Sequence, residues 1–292
     1  MKKILYFIIL ICFTGLFFSC GNEDALNDRS IFDTEPPVRN EFDNWLLKNY
    51  TIPYNVDFKY RLDDIESSQT HTLAPAEYDK SVALAKLTKF LWFESYDEVA
   101  GVEFTRSNVP RMIHLVGSPA YNSEGTITLG TAEGGLKVTL YMVNYIDLED
   151  IDLPFLNYYY FKTMHHEFAH ILNQTIEYDP DFDLISEADY ISGDWYQISD
   201  AEANSAGFVT PYAMSEPTED FAENIAVYVT ATDAEWNRIL TNAGPEGSGI
   251  ILRKFDIVYN YMKSAWNIDL DKLREVVQRR SGEIHLLDLD NL

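Results

Sequence analysis

Two histidines and a glutamate near the middle of the chain, in the run His166-Glu167-Phe168-Ala169-His170, have the spacing of a metal-binding motif. On an α-helix, residues four apart lie about 40° apart around the axis, so both imidazoles face the same side. Two neutral imidazoles can then bind one Zn²⁺. Glu167 lies about 100° from His166, beside such a metal, where its carboxylate can take a proton from a water molecule. The motif predicts a zinc site with His166 and His170 as ligands and Glu167 as general base.

Apolar residues flank this motif and predict a buried helix over Phe155 to Gln174. His165 lies one residue step away from the metal-facing side, and we interpret it as a packing histidine or as an outer partner of a ligand. Tyr158-Tyr159-Tyr160 covers all sides of the beginning of this helix, so we favour core and wall packing over substrate stacking.

A catalytic zinc needs a third protein ligand and one open position. The chain has two cysteines, Cys12 and Cys20, both near the N-terminus, and one histidine after the motif, His285, near the C-terminus. The third ligand is therefore expected to be a carboxylate on a second helix.

Glu219 and Glu223 lie four residues apart in a predicted helix from Thr218 to Thr230, which Pro217 precedes. Both carboxylates project from one side of this helix, so one can bind zinc while the other accepts the second N–H of a zinc-bound histidine. The spacing alone does not separate these two roles. The other carboxylates that we consider are Glu216, Glu202 and Glu187.

The elements that must position these residues are predicted in an α+β order, strands first and helices after. The predicted strands are 55–61, 111–116, 125–129 and 137–143, with Gly134-Gly135 as a turn, and a helix covers 76–99. Two further helices are predicted over 250–266 and 270–279. Asp179, Asp181 and Asp183 alternate in a predicted loop without the spacing of a calcium-binding EF-hand, which favours a solvated loop.

The N-terminus has the pattern of a lipoprotein signal peptide. Lys2 and Lys3 precede an apolar run that ends at Ser19-Cys20, so we expect residues 1–19 to be removed and Cys20 to carry a lipid. The acidic residues 20–39 then form a tether, and residues 40–292 form one domain, because no change in composition divides them.

The chain is strongly acidic, and loss of Lys2 and Lys3 takes its formal net charge from −25 to −27. Such a surface repels phosphate backbones, so we expect no nucleic-acid partner. With 46% hydrophobic residues, the chain can build a substantial core.

The second helix resembles that of the gluzincin metallopeptidases, specifically their lethal-factor-like branch. In that branch the HExxH motif is followed by a tyrosine, a six-residue gap, a glutamate, two residues and Ala-Glu, as in Tyr212, Glu219 and Ala222-Glu223 here. The resemblance implies a zincin-like domain, with a small mixed sheet and helices followed by a mainly helical C-terminal half. It also implies that Glu219 is the third ligand, Glu223 the partner of a zinc-bound histidine, and Tyr212 the donor to the oxyanion.

Residues 40–292 are also similar to the zinc metallopeptidase lipoproteins that accompany TonB-dependent nutrient import. The shared features are the lipidated cysteine, the HEFAH motif, the ExxAE helix, Trp45-Leu46 and Pro53-Tyr54-Asn55. Glu23-Asp24 resembles the signal that places such lipoproteins on the outer face of the outer membrane. The resemblance implies attachment to the outer membrane, surface-exposed or periplasmic, and import components as partners.

Together these features predict a peptidase with one Zn²⁺ per chain that cleaves peptide or glycopeptide substrates. Two other functions are considered. One is an accessory binding lipoprotein in which zinc only stabilises the fold, although Glu167 and Tyr212 are not needed for that. The other is a zinc amidase that acts on glycopeptide or peptidoglycan bonds, since it would use the same residues.

Overall fold

Helices surround one small sheet in the computed structural model, which describes residues 38–63, 65, 70–122, 127–128, 130–133 and 136–292, without the side chains of 130–133. Asn40–Leu292 form one unit. The predicted signal peptide, Cys20 and the tether as far as residue 37 lie outside the described residues. The predicted Gly134-Gly135 turn lies outside them as well.

Twelve α-helices occur in the described part of the chain. They are α1 (Glu41–Leu46), α2 (Ile52–Tyr54), α3 (Tyr78–Thr88), α4 (Glu94–Ala100), α5 (Val102–Asn108), α6 (Leu153–Leu156), α7 (Lys162–Thr175), α8 (Asp181–Ile185), α9 (Asp200–Ser205), α10 (Pro217–Thr230), α11 (Asp233–Trp266) and α12 (Leu270–Glu283). π-helical turns join α1 to α2, α3 to α4 and α6 to α7, at Leu47–Thr51, Lys89–Phe93 and Asn157–Phe161. Short 3₁₀ segments are Val143–Tyr145, Ser192–Gln197, Tyr212–Met214 and Ile284–Leu286.

The sheet is mixed and has the strand order β1-β2-β6-β5. Its strands are β1 (Asp57–Lys59), β2 (Met112–Leu115), β5 (Gly130–Glu133) and β6 (Lys137–Leu140). β1, β2 and β6 are parallel, and β5 pairs antiparallel with β6. A separate pair, β3 (Ala120–Tyr121) and β4 (Ile127–Thr128), is antiparallel. β5 therefore lies at one edge of the sheet, and it contacts α7.

Helix α7 continues the chain from α6, whose first N–H groups are capped by Asp152. The Phe168 ring on α7 packs edge to face against two aromatic rings near the beginning of α4. Its centroid lies 5.3 Å from that of Trp92 and 4.8 Å from that of Tyr96. Such aromatic pairs favour one orientation of the rings. This packing fixes the face of α7 that carries Phe168. The opposite face of the helix is thereby turned towards α10, which α7 contacts.

Helix α10 begins at Pro217, where proline's missing N–H leaves no intrahelical hydrogen bond unmade. Glu219 and Asp220 in the first turn place negative charge at the positive end of the helix dipole. Phe221, Ala222 and the other residues to Thr230 are buried, and α10 packs extensively against α7. The order of charges and apolar residues therefore fixes both where α10 begins and which helix it faces.

Helix α11 is broken at Gly244, whose φ of 65° and ψ of −176° are not helical, and Pro245 follows. Beyond the break, Gly247 passes so close to α9 that a Cβ atom would lie 2.5 Å from the carbonyl oxygen of Asn204. A glycine is needed there because any side chain would separate the two helices. This close approach positions Lys254, one of the fully buried residues of α11.

The structure confirms the α+β class and the mainly helical C-terminal half. The predicted helix over 250–266 is longer, because α11 starts at Asp233, and the predicted strand over 55–61 is shorter, at Asp57–Lys59. Ile127–Thr128, in the predicted strand 125–129, pairs with β3 outside the main sheet. None of the described helices is both long enough and apolar enough to span a membrane.

Candidate metal centre

Helices α7 and α10 bring His166, His170 and Glu219 together. The Nε2 atom of His166 lies 2.8 Å from Oε2 of Glu219 and 3.1 Å from Nε2 of His170. The Nε2 atom of His170 lies 3.3 Å from the same Glu219 oxygen. Among the residues that the structure describes, these three form the one group of His, Cys, Asp or Glu side chains close enough to share a metal ion.

The spacing of the three ligand atoms fits a tetrahedral zinc site. Ligands at about 2.0–2.2 Å from a tetrahedral centre lie about 3.3–3.6 Å from one another. The observed separations of 2.8, 3.1 and 3.3 Å are at this value or a few tenths below it. Two imidazole nitrogens and one carboxylate oxygen also form the donor set of a catalytic zinc site with three protein ligands.

Hydrogen bonds between the imidazoles and the carboxylates shift the pKa values in this group. Burial lowers the pKa of His166, but its hydrogen bonds to Glu219 and Glu223 outweigh this effect and raise the pKa to about 9. Burial also raises the pKa of Glu219, while hydrogen bonds to His166 and His170 lower it below its usual range. A metal cation at Nε2 of His166 would take the place of the proton that Glu219 and Glu223 stabilise on this imidazole.

Glu223 contacts the other ring nitrogen of His166, with Oε1 3.0 Å from Nδ1. An Nδ1–H that donates to this carboxylate leaves Nε2 with a lone pair on the side of His170 and Glu219. Glu223 is buried, and it also accepts hydrogen bonds from the Lys162 ammonium, at 3.0 and 3.1 Å, and from the Thr210 hydroxyl, at 2.6 Å. Burial raises the pKa of Glu223, but the Lys162 charge and these hydrogen bonds lower it below its usual range.

Tyr212 lies on the 3₁₀ segment before α10, with its ring centroid 5.7 Å from that of His166. Burial and the negative charge of Glu219 raise the pKa of its phenol well above the ordinary value. The phenol therefore keeps its proton and can donate a hydrogen bond to a developing oxyanion. The Trp195 ring packs edge to face on Tyr212, with centroids 5.0 Å apart.

Glu167 follows His166 on α7 and is half-buried. Its negative charge contributes to the raised pKa values of both His166 and Tyr212. The carboxylate thus acts electrostatically on the two side chains that flank the metal position, although it is not a member of the ligand group.

The other carboxylates considered from the sequence lie elsewhere. Glu187, Glu202 and Glu216 are exposed. Glu202 accepts hydrogen bonds from the backbone N–H and the hydroxyl of Ser199 and so caps α9. Glu216 accepts a hydrogen bond from Thr218 at the beginning of α10.

His165 is buried on the side of α7 away from the metal position, and its Nδ1 lies 2.9 Å from the Tyr96 hydroxyl. Burial lowers the pKa of His165 to about 3, so the ring is neutral and packs in the core. Tyr160 is also buried and donates to the carbonyl of Met142, whereas Tyr158 is exposed.

The aspartates at 179, 181 and 183 lie at the beginning of α8, with the Asp183 carboxylate accepting a hydrogen bond from Tyr178. They take part in local hydrogen bonds, since the Asp179 carboxylate accepts from the backbone N–H of Asp181. The predicted loop is therefore helical from Asp181 onward, because Asp181 and Asp183 lie in α8, although Asp179 and Asp181 are exposed as expected.

Lys162, Thr210 and Trp195 were not identified from the sequence. For Lys162 a signal was available, because it lies four residues before His166 and hence on the same side of α7. Thr210 and Trp195 come from segments whose place beside α7 depends on tertiary packing. The backbone N–H groups of Ile191 and Ser192 donate hydrogen bonds to the carbonyls of Met214 and Ser215. These bonds hold the 3₁₀ segment that carries Trp195 beside the one that carries Tyr212.

Comparison with known proteins agrees with this geometry. Residues 35–271 match the family described as "Putative zinc-binding metallo-peptidase". A solved structure titled as a putative zinc-binding metallo-peptidase from Bacteroides caccae ATCC 43185 superposes with a TM-score of 0.76 at 51% sequence identity, covering 90% of this chain and 99% of that one. No curated protein matches the chain.

The matched region includes both helices that carry the ligand group, α7 and α10. It extends over most of the chain and contains all three members of the His166, His170 and Glu219 group. The chain therefore belongs to the family of zinc-binding metallopeptidases that this description defines.

Proposed function

We propose that the protein is a zinc-dependent peptidase of the gluzincin type, with His166, His170 and Glu219 as the ligands of one zinc ion. The observation that carries this proposal is the convergence of these three donor atoms within 3.3 Å of one another beside Glu167 and Tyr212. A zinc ion that only stabilised the fold would need neither Glu167 nor Tyr212. A bound zinc would supply a Lewis acid that polarises the scissile carbonyl and lowers the pKa of a water molecule.

Glu167 then acts as general base. Its carboxylate accepts a proton from the attacking water and delivers that proton to the nitrogen of the leaving amine, so the proton is conserved across the step. Tyr212 donates a hydrogen bond from its phenol to the oxygen of the carbonyl as negative charge develops there. Its raised pKa keeps the phenol protonated at neutral pH.

A peptide is the substrate that the sheet supports best. Of the two edge strands of the main sheet, β1 and β5, it is β5 that contacts α7. An extended peptide can pair with such an edge through main-chain hydrogen bonds, with little dependence on its sequence. Pairing of this kind would align a scissile bond along α7, and a glycopeptide with an extended backbone could pair in the same way.

The test is cleavage of peptide and glycopeptide libraries by wild type and by Glu167→Gln, both loaded with the same amount of zinc. Because Glu167 is not a ligand, the variant should retain zinc and lose nearly all turnover, since general-base catalysis contributes about 10²–10⁴-fold. The conservative control is Glu216→Gln, at an exposed position before α10, which should keep full activity. Equal turnover by the zinc-loaded Glu167→Gln variant would mean that another group activates the water.

We further propose that the mature protein is attached to the outer membrane by a lipid on Cys20, where it serves nutrient import. The lipoprotein pattern that ends at Cys20 and the acidic segment that follows support this proposal. A peptidase in this position would act on peptides or glycopeptides outside the cytoplasm. Components of a TonB-dependent import system are the partners that the sequence resemblance suggests.

A further inference from the structure

The Glu223 carboxylate is held by two residues to which the proposed reaction gives no role, Lys162 and Thr210. The side chain of Glu223 is 2% exposed, and that of Lys162, which lies at the beginning of α7, is 22% exposed. The Lys162 ammonium lies 3.1 Å from Oε1 and 3.0 Å from Oε2 of Glu223. The Thr210 hydroxyl donates to Oε2 at 2.6 Å.

These contacts use both oxygens of the carboxylate. Oε1 accepts hydrogen bonds from Nδ1 of His166 and from the Lys162 ammonium. Oε2 accepts hydrogen bonds from the same ammonium and from the Thr210 hydroxyl. A carboxylate held on both oxygens cannot rotate about its terminal torsion without breaking at least one charge-assisted hydrogen bond. The position of Oε1, and with it the orientation of the His166 ring, is therefore set from the side opposite the metal.

Lys162 connects α7 to α10. It lies four residues before His166, so its side chain and the imidazole lie on the same side of α7, and both contact Glu223 of α10. A charge-assisted contact between a buried carboxylate and a half-buried ammonium holds two helices more firmly than an exposed ion pair does.

Thr210 connects Glu223 to the segment of the oxyanion donor. Its hydroxyl donates to Glu223 and accepts the backbone N–H of Ala213 at 3.2 Å. Ala213 directly follows Tyr212 in the 3₁₀ turn. One hydroxyl thus contacts both the carboxylate behind His166 and the turn that carries the phenol.

We propose that Lys162 and Thr210 are positioning residues of the metal centre: both fix Glu223 and, through it, the His166 imidazole, and Thr210 also fixes the turn of Tyr212. This inference rests on the proposed function, because it assigns both residues to the same zinc site. Neither residue touches the substrate or the metal in this account.

The experiment measures the zinc dissociation constant by competition with a chromophoric chelator. Lys162→Met removes the ammonium and keeps most of the stem, and Thr210→Val removes the hydroxyl at nearly constant volume. Each should weaken zinc binding by about tenfold, the lower end of the 10–100-fold range for outer partners of metal ligands. Lys162→Arg and Thr210→Ser keep the donors and should stay within about threefold of wild type. Lys272→Met, in an exposed ion pair with Glu275, is the control and should bind zinc as wild type does.

A double-mutant cycle separates positioning from a general loss of structure. If Lys162 acts through Glu223, then Lys162→Met should change the zinc dissociation constant by less than about twofold when Glu223 is already alanine. An equal loss in both backgrounds, or no loss in wild-type background, would overturn the role of Lys162. The same cycle with Thr210→Val decides the role of Thr210.

A kinetic comparison tests the second contact of Thr210. At saturating zinc, Thr210→Val should lower kcat at least threefold more than Lys162→Met, with KM unchanged, because only Thr210 contacts the Tyr212 turn. Equal kcat values would overturn that link.

Wild-type protein that binds no zinc would contradict the proposed function and this inference together. Zinc binding without peptide cleavage would contradict the proposed function alone, and the affinity measurements would still decide the roles of Lys162 and Thr210.

Discussion

At the scale of single residues, Tyr212 is the side chain that we propose stabilises the negative charge on the carbonyl oxygen. Tyr212→Phe removes the phenol hydroxyl and keeps the ring that packs against Trp195 and near His166. We expect kcat to fall by about 10²–10³-fold with little change in KM, as for other oxyanion donors. Zinc content should stay at the wild-type level, because Tyr212 is not in the ligand group. Steady-state kinetics with metal analysis checks both parts.

The control for this variant is Tyr145→Phe, which removes a phenol from an exposed position. It should leave kcat, KM and zinc content as in wild type. A Tyr212→Phe enzyme with undiminished kcat would contradict the role of the phenol, whereas a zinc-free Tyr212→Phe protein would place it among the groups that bind the metal.

At this scale, prediction from the sequence can use only the geometry that the spacing along one helix decides. His166 and His170 are brought together by α7 alone, so their separation follows from helix periodicity. The choice between Glu219 and Glu223 could not be made from spacing, because both project from the same side of α10. Only the placement of α10 against α7 puts Glu219 at Nε2 of His166 and Glu223 at Nδ1.

At the scale of helices, a buried ion pair joins α10 to α11. The Lys254 ammonium lies 2.6 Å from the Asp220 carboxylate, with both side chains fully buried, and it also donates to the carbonyl of Gly207. Tyr190 and Asn224 donate to the same carboxylate. This pair fixes the beginning of α10, one residue from Glu219.

Lys254→Met removes one charge of this pair and leaves the other buried. We expect it to lower the free energy of unfolding by about 3–5 kcal/mol, because Asp220 then lacks its counter-charge. Replacing both residues, as Lys254→Met with Asp220→Asn, should cost less than the single change. Urea denaturation of the metal-free proteins measures both. Lys272→Met is the matched control, since its exposed ion pair should contribute at most about 1 kcal/mol. A single variant as stable as wild type would contradict this role of the pair.

Helix positions were predicted better than helix boundaries and strand pairing. The apolar pattern placed α10 and α12 within a few residues, because each buries one face, whereas the single helix predicted over 155–174 comprises α6, a π-helical turn and α7. The spacing of apolar residues does not distinguish the π-helical turn at Asn157–Phe161 from an α-helical turn, so the turn could not be predicted. The break in α11 could have been anticipated from Gly244-Pro245, since proline cannot continue the hydrogen-bond pattern of a helix.

Strand β5 is the element whose absence from the sequence prediction matters most. Gly130–Glu133 is short and has no alternating apolar pattern, so periodicity could not identify it. Its antiparallel pairing with β6 is a tertiary contact that periodicity along the chain does not indicate. The edge that β5 provides next to α7 is therefore a property of the tertiary fold, and it supports a peptide substrate.

At the scale of the whole molecule, the proposed attachment to a membrane depends on Cys20. In a bacterial host that processes lipoproteins, full-length wild type should fractionate with membranes, and mass spectrometry should find a diacylglyceryl group on an N-terminal Cys20. Cys20→Ala should leave the membrane fraction, while its zinc-dependent activity stays the same, because Asn40–Leu292 form a separate unit. Cys12→Ala is the control and should fractionate as wild type does. A mature N-terminus at another residue, without lipid, would contradict the anchor.

The central claim concerns one metal ion and three ligands, and diffraction from crystals of the zinc-loaded protein at the zinc absorption edge tests it most directly. The account predicts one anomalous peak per chain, about 2.0–2.1 Å from Nε2 of His166 and of His170 and about 2.0–2.2 Å from a carboxylate oxygen of Glu219. Glu223 should remain on Nδ1 of His166, outside the ligand sphere. A peak with the nearest Glu219 oxygen beyond about 3 Å, well outside the bonding distances of zinc, or with Glu223 bound in its place, would contradict it.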